Sequence, residues 1–198
     1  MTATLDRRAG PWIHALLRAY GVDTVFGIPG VHTIPLYEGL AESGLAHVTP
    51  RHEQGAGFMA DGYARQTGKP GVCFVITGPG VTNIATAMAQ AHAESLPMLV
   101  ISSVNRRRHL GLGQGQLHEL PDQRAVMQEV SAFSHTLHSL ADLPKVLARA
   151  FAIFGGARPR PVHVEIPLDL WDEAPPAGEI SAPAPRAVPV AVPAAAAQ

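Results

Sequence analysis

The chain has 198 residues, 46% of them hydrophobic and 16% charged, which is enough for one well-filled core with a tail. Its net charge is −1 and its pI about 6.8, which excludes the basic footprint of a nucleic-acid-binding protein. A single cysteine excludes a disulfide within the chain; with no apolar run of membrane-spanning length and no signal-peptide pattern, a cytoplasmic protein without membrane contact is expected.

The first helix is expected from Pro11 to Tyr20, with Trp12, Leu16 and Ala19 on one face and Gly21 ending it. Thr24-Val25-Phe26 reads as a short buried strand running into Gly27-Ile28-Pro29-Gly30. A helix from Ile34 to Ser43 closes at Gly44, and Ala46 to Thr49 is the next strand. The spacing then predicts a helix over Glu53 to Gln66, ending at Gly68. Val72 to Ile76 is continuously apolar and rich in β-branched residues, as a strand buried on both faces should be, and Cys73 inside it reads as a small buried hydrophobe. An alanine-rich helix over Thr82 to Ala93 and a strand over Met98 to Ile101 follow. Asn105 to His118 is glycine-rich and irregular, and Arg106-Arg107-Arg108 within it reads as a solvated loop. Gln123 to Val130 and Leu143 to Phe154 are expected as helices, Ala132 to Leu137 and Val162 to Ile166 as strands. About six strands alternating with helices predict a doubly wound α/β domain, its sheet mainly parallel with helices on both faces. In such sheets ligands bind beyond the carboxyl ends of the strands.

Residues 1–170 make up this domain. Residues 171–198 are almost wholly Ala, Pro, Val and Gly, too poor in large apolar side chains to offset their ordering entropy. They read as a linker of polyproline II character. Because linkers join folded parts, further domains are expected beyond it; a disordered C-terminal tail is the alternative.

Three motifs fall on the same rim of this sheet. Glu53 stands where a strand ends and a helix begins, followed by Gly55, Ala56 and Gly57, which let another surface approach the carboxylate. Without a ligand, Glu53 is an acid favoured by the helix dipole. Thr77-Gly78-Pro79-Gly80 ends a buried strand and opens a helix, and Asn83 lies in that helix's first turn. Gly27-Ile28-Pro29-Gly30 is a Pro-Gly turn of little specificity by itself. Neither loop is a Walker sequence or a dinucleotide fingerprint, which disfavours a nucleotide-binding domain. Gly111-Leu112-Gly113-Gln114-Gly115 lacks a preceding strand and reads as a mobile loop. His135 and His138 have a metal-like spacing but no ligand set around them.

Taken in order, these motifs resemble the N-terminal pyrimidine-binding domain of thiamine-diphosphate enzymes of the acetolactate synthase and 2-oxoacid decarboxylase family. The residues that carry the resemblance are Val22 to Gly30, Arg51 to Ala56, Met59 to Arg65, Thr77 to Asn83 and Pro161 to Pro167, so it covers nearly everything from Gly10 to about Leu170. It implies that Glu53 hydrogen-bonds the aminopyrimidine of thiamine diphosphate and promotes the tautomer that deprotonates the thiazolium, which then attacks a 2-oxo acid with loss of carbon dioxide. It further implies that Ile28, Pro29, Gly30, Thr77, Gly78, Pro79, Gly80 and Asn83 line the pyrimidine. The family's diphosphate and Mg²⁺ motif, Gly-Asp-Gly…Asn in a separate C-terminal domain, does not occur in these 198 residues. The active site in this family forms between the pyrimidine side of one subunit and the diphosphate side of another, in a homodimer or homotetramer. The chain is therefore expected to carry half a site and to be inactive alone.

Substrate choice is expected to involve His32, two residues past the Gly30 turn, as a proton-relay candidate; an ordinary loop histidine is the alternative. His118-Glu119 stands where acetolactate synthases tend to have Gln-Glu, a departure that weakens a plain acetolactate synthase assignment. The strings Thr49 to Phe58 and Leu117 to Pro121 look most like the subgroup that decarboxylates 5-guanidino-2-oxopentanoate. Glu119 or Asp122 would then pair a guanidinium, unless both are simply first-turn helix acids. Acetolactate synthase is the alternative within the enzymes, and a non-catalytic dimerisation module the alternative outside them. Gly55, Ala56, Ala60 and Ala64 give the Glu53 helix a small-residue face, suited either to a second subunit or to the domain's own sheet.

Overall fold

The computed structural model describes residues 8–156, 158–178 and 180. Six strands form one sheet: β1 (Thr24–Gly27), β2 (Ala46–Val48), β3 (Gly71–Val75), β4 (Met98–Val104), β5 (Phe133–Thr136) and β6 (Val162–Pro167). Their order is β2-β1-β3-β4-β6-β5 and every pairing is parallel. From β1 the chain moves outward to β2, then returns to place β3 on the other side of β1. The crevice beyond the ends of β1 and β3 is thus a topological switch point, where an open α/β sheet offers a ligand the most room.

Side-chain alternation along the strands divides the core in two. Val25, Val72, Phe74, Leu99, Ile101, Val162 and Val164 face the layer of α1 (Ala9–Ala19) and α6 (Leu143–Phe154). Phe26, Cys73, Val75, Met98 and Val100 face the layer of α3 (Glu53–Thr67), α4 (Pro79–Ala93) and α5 (Gln123–Gln128). Burial on both faces explains why β3 and β4 read as unbroken apolar runs. Cys73 is fully buried and burial pushes its thiol pKa up, so it packs as a hydrophobe.

Ala56 and Ala60 are buried in the core against the domain's own sheet, which accounts for their small size, and Ala64 is buried as well. A Cβ at Gly71 would lie 2.4 Å from the Ala60 carbonyl oxygen. The exposed apolar residues of α3 are instead Phe58 and Met59. The helix expected over Ile34 to Ser43 is a single turn, α2 (Ile34–Tyr37). Glu38 is extended and Gly39 has φ 71°, a turn forced by close contact with α1, since a Cβ at Gly39 would meet the Pro11 ring at 2.8 Å. α4 starts at Pro79, three residues earlier than its periodicity indicates, because proline at the first helical position loses no hydrogen bond. β4 extends to Val104 through Ser102 and Ser103, whose hydroxyls find buried partners.

Residues 168–172 form a 3₁₀ turn. Arg107 pairs with Asp169 at 2.6 Å and with Glu173 at 2.8 Å, and Trp171 packs on the core, so the first residues of the Ala/Pro-rich stretch lie against the domain. Residues 181–198 of that stretch lie outside the described residues. Among the described residues no helix is long and apolar enough to cross a membrane.

Candidate functional site

The three motifs meet at the switch point. Gly57 seats α3 on α4, since a Cβ there would lie 2.4 Å from the Ala87 Cβ. This close approach brings the first residue of α3, Glu53, to the first turn of α4, where Asn83 Nδ2 donates to Glu53 Oε2 at 2.8 Å. His52 caps α3, its Nδ1 accepting from the Gln54 N–H at 3.1 Å, so Glu53 is left to face the crevice. Among the described residues Glu53 Oε1 has no hydrogen-bond partner. Gly80 lies beside that oxygen, and a Cβ there would meet Ile76 Cγ2 at 2.7 Å, so glycine lets the first turn of α4 sit close to the turn after β3.

The turn after β1 is held from within: the Gly30 N–H donates to Thr33 Oγ1 at 3.1 Å, and the Thr33 N–H donates to the Gly30 carbonyl at 2.7 Å. It rests on the turn after β3, where a Cβ at Gly30 would meet Ile76 Cδ1 at 2.5 Å. Ile28 is half-buried and Pro29 exposed. Gly78, at φ 66° and ψ −106°, occupies backbone space closed to other residues. The Thr77 hydroxyl and His32 Nδ1 are buried without a hydrogen-bond partner. Buried polar atoms are nearly always paired, so both have hydrogen-bonding capacity left at this rim; away from it, His14 Nδ1 and Trp171 Nε1 are likewise buried without a partner.

His32 is 7% exposed, and its backbone carbonyl accepts from Ser103 Oγ at 2.7 Å. Its ring meets that of His118 edge-on with centroids 5.9 Å apart. Burial, then the neighbouring His118, lowers the His32 pKa, which favours the neutral ring. His118 has φ 57°, and its carbonyl presses on Gly78. Glu119 is drawn into its own loop, accepting from the Gln116 N–H at 2.9 Å and the Gln114 N–H at 3.3 Å, and these backbone donors, Gln116 foremost, lower its pKa. Asp122 caps α5, accepting from the Ala125 N–H at 2.8 Å. The two acids offered by sequence as guanidinium partners are thus engaged in shaping the loop and starting the helix.

Behind the crevice lies a buried polar network that the sequence alone does not disclose. Gln123 Oε1 accepts from the Gly78 N–H at 2.8 Å, while its Nε2 donates to the Ser103 carbonyl at 2.9 Å and to Glu165 Oε2 at 2.8 Å. Thr136 Oγ1 donates to Glu165 Oε1 at 2.6 Å. His163 is held between Ser102 Oγ at 2.9 Å and Ser134 Oγ at 2.7 Å. The available signal was the polar interruption of apolar strands at Ser102, Ser103, His163 and Glu165; Gln123 carried none.

Burial lowers the His163 pKa to about 3. The unfolded chain, with histidine near 6.5, binds the extra proton between those values, so this contribution is complete above pH 6.5 and is lost as pH falls toward 3. Urea unfolding of the wild type and of His163→Gln is expected to show the steeper acid decline in the wild type, by up to about 1.4 kcal/mol per pH unit. Glu165, whose pKa burial raises, contributes a slope of opposite sign that is common to both proteins and cancels in the comparison. Equal slopes would mean that His163 is protonated in the fold.

Among the described residues no group of three or more His, Cys, Asp or Glu is placed to hold a metal, and the His135 and His138 rings stand 6.5 Å apart. Exposed apolar residues adjoin the site along the chain: Val31 and Ile34 beside His32, Phe58 and Met59 on α3, and Leu117 next to His118.

A family model described as the N-terminal TPP-binding domain of thiamine pyrophosphate enzymes matches residues 7–126. A probable 2-ketoarginine decarboxylase of Pseudomonas aeruginosa is 64% identical over 162 residues, covering 82% of this chain and 29% of the relative. The large subunit of acetolactate synthase isozyme 2 of Escherichia coli is 41% identical over 159 residues, covering 80% and 28%. The acetolactate synthase large subunit of Parasynechococcus marenigrum is 39% identical over 161 residues, covering 79% and 26%. The chain thus spans less than a third of the length of these relatives.

Proposed function

Because the chain belongs to the thiamine pyrophosphate enzymes, as their N-terminal TPP-binding domain, we propose that it supplies the pyrimidine side of an active site that decarboxylates a 2-oxo acid. The observation that carries this reading is the Glu53 carboxylate, fixed by Asn83 at the switch point with its second oxygen open to the crevice. Thiamine diphosphate, when bound, supplies the electron sink for the departing carboxylate. The protein's own residues would do the rest. Glu53 Oε1 would hold or release a proton on the pyrimidine side, and Asn83 fixes the orientation of the carboxylate. Thr77 Oγ1 offers a hydrogen bond, while Ile28, Pro29, Gly30, Gly78, Pro79 and Gly80 shape the wall. His32, its neutral form favoured by burial and its ring beside that of His118, would serve as the proton relay. Glu119 acts through the loop that positions His118.

The diphosphate and Mg²⁺ would be held by a domain carrying the Gly-Asp-Gly…Asn motif, contributed by a second subunit of a homodimer or homotetramer. The exposed apolar residues around the site, Val31, Ile34, Phe58, Met59 and Leu117, support that docking. The substrate proposed is 5-guanidino-2-oxopentanoate, on the 64% identity to the probable 2-ketoarginine decarboxylase against 41% to an acetolactate synthase. Carbon dioxide release by the assembled enzyme with thiamine diphosphate and Mg²⁺ tests it. Turnover of 5-guanidino-2-oxopentanoate is expected to exceed that of pyruvate by at least about tenfold in kcat/KM. Preference for pyruvate, with acetolactate as product, would move the assignment to acetolactate synthase.

A further inference from the structure

A cavity of about 260 Å³ opens on the carboxyl-end rim beyond β4, β6 and β5. Val104, Leu110, Leu120 and Pro121 contribute apolar walls, and Glu165 stands among its lining with Thr136 and Gln123 beside it. Sheet register explains the arrangement. Ser102 pairs with Glu165 across β4 and β6, and Thr136 pairs with the same residue across β5 and β6, so Glu165 sits in the middle of a polar row at the strand ends.

Glu165 is 2% exposed, yet its side-chain partners are both neutral, the Thr136 hydroxyl and the Gln123 amide. Among the described residues no Lys, Arg or His forms an ion pair with it. A carboxylate has about four lone-pair sites, of which two are used here. A buried charge without an ion-pair partner is costly, and burial raises the Glu165 pKa accordingly. Two other charges line the cavity, Asp122 and Arg124, and they oppose each other in their effect on Glu165. With both carboxylates ionised, the lining carries a net charge of −1.

We propose that this cavity is a binding site for an alkylguanidinium cation, with Glu165 as the anion that receives it. The apolar walls suit a methylene stem. A guanidinium is more weakly hydrated than an ammonium, and its planar fork of donors matches a carboxylate and a hydroxyl oxygen set side by side. Gln123 links the cavity to the reaction site through a single amide: Oε1 holds the Gly78 N–H and Nε2 holds Glu165. Assigning the cation to the far end of the substrate rests on the function proposed above; the cation site itself rests on the cavity and on a buried carboxylate that has no ion-pair partner among the described residues.

Titration of the isotopically labelled chain with propylguanidinium, followed by amide chemical shifts, tests the proposal. Saturable shifts are expected at Leu110, Gly111, Leu120 and Thr136, and propylurea, a neutral counterpart, is expected to bind at least about tenfold more weakly. Glu165→Gln should weaken propylguanidinium binding by a similar factor while leaving propylurea unaffected. Absence of saturable shifts, or equal affinity for the two compounds, overturns the proposal, and that comparison on the wild type stands even where the variant does not fold. A titration with 5-guanidino-2-oxopentanoate separates the two sources of the cation. Shifts that also reach Thr77, Gly78 and His118 identify the substrate's own side chain, whereas shifts confined to the cavity identify a separate alkylguanidinium ligand. Failure here leaves the role of Glu53 untouched, because that role is read by a different substitution and a different measurement.

Discussion

Glu53→Gln is expected to lower turnover of the assembled enzyme by about 10²–10⁴-fold, the range that a positioned proton-transfer group contributes. Glutamine keeps the length of the side chain and an oxygen that accepts from Asn83 Nδ2, so the α3–α4 contact persists. What it removes is the capacity to give and take a proton at the oxygen facing the crevice. Thermal unfolding should change little, by no more than about 1 kcal/mol, because the structural role of Glu53 is that of an acid in the first turn of a helix. Asn83→Ala provides a graded companion: the carboxylate stays, its orienting hydrogen bond goes, and a loss of about one to two orders of magnitude is expected. Unchanged turnover in Glu53→Gln would remove the catalytic reading and leave a folded domain whose acid serves only the helix.

The parts of the molecule that were legible in the sequence are those decided by local chemistry. Strands buried on both faces have to be apolar throughout, and helices between them have to begin and end at residues suited to their termini, so the alternation could be followed from Trp12 to Ile166. Glu53, Gly78 and Asn83 stood out because an acid and a glycine turn directly followed strands. What stayed hidden depends on which distant segment arrives. α2 ends early because Gly39 turns against Pro11 of α1. Glu119 looked free to meet a substrate, but its carboxylate is occupied by the backbone of its own loop. Gln123 is unremarkable in sequence, and it matters because the start of α5 faces the Gly78 turn, 45 residues earlier in the chain. The alternation Val162-His163-Val164-Glu165-Ile166 suggests one apolar and one polar face, and it is packing on both sides of β6 that buries Glu165.

Gly78→Ala is expected to be the most damaging single-atom addition on this rim, costing about 2–4 kcal/mol and lowering the melting temperature by roughly 5–15 °C. Two independent strains add. The φ of 66° with ψ of −106° is a conformation that a residue with a Cβ seldom adopts. The new Cβ would also lie 2.3 Å from the His118 carbonyl oxygen, and this neighbour is backbone, so no side-chain rotation relieves the contact. His118 itself is held at φ 57°, and the Leu117 carbonyl before it accepts from Asn105 Nδ2 at 3.0 Å, which leaves the loop little freedom to retreat. If the loop does retreat, the His118 ring leaves His32, and the Gly78 N–H pulls away from Gln123. Activity should therefore fall further than the loss of stability accounts for when both are measured at a temperature where the variant is folded. The same substitution at Gly68, which lies in the ordinary left-handed region at φ 71° and ψ 1° and where an added Cβ would meet no heavy atom within 4 Å, gives the milder cost of that region without a clash. Gly68→Ala should cost only about 1–2 kcal/mol and leave activity per folded molecule intact. Equal effects at the two positions would show that the His118 loop yields to the added carbon without loss, and that the ψ of −106° at Gly78 costs no more than the ordinary left-handed conformation of Gly68.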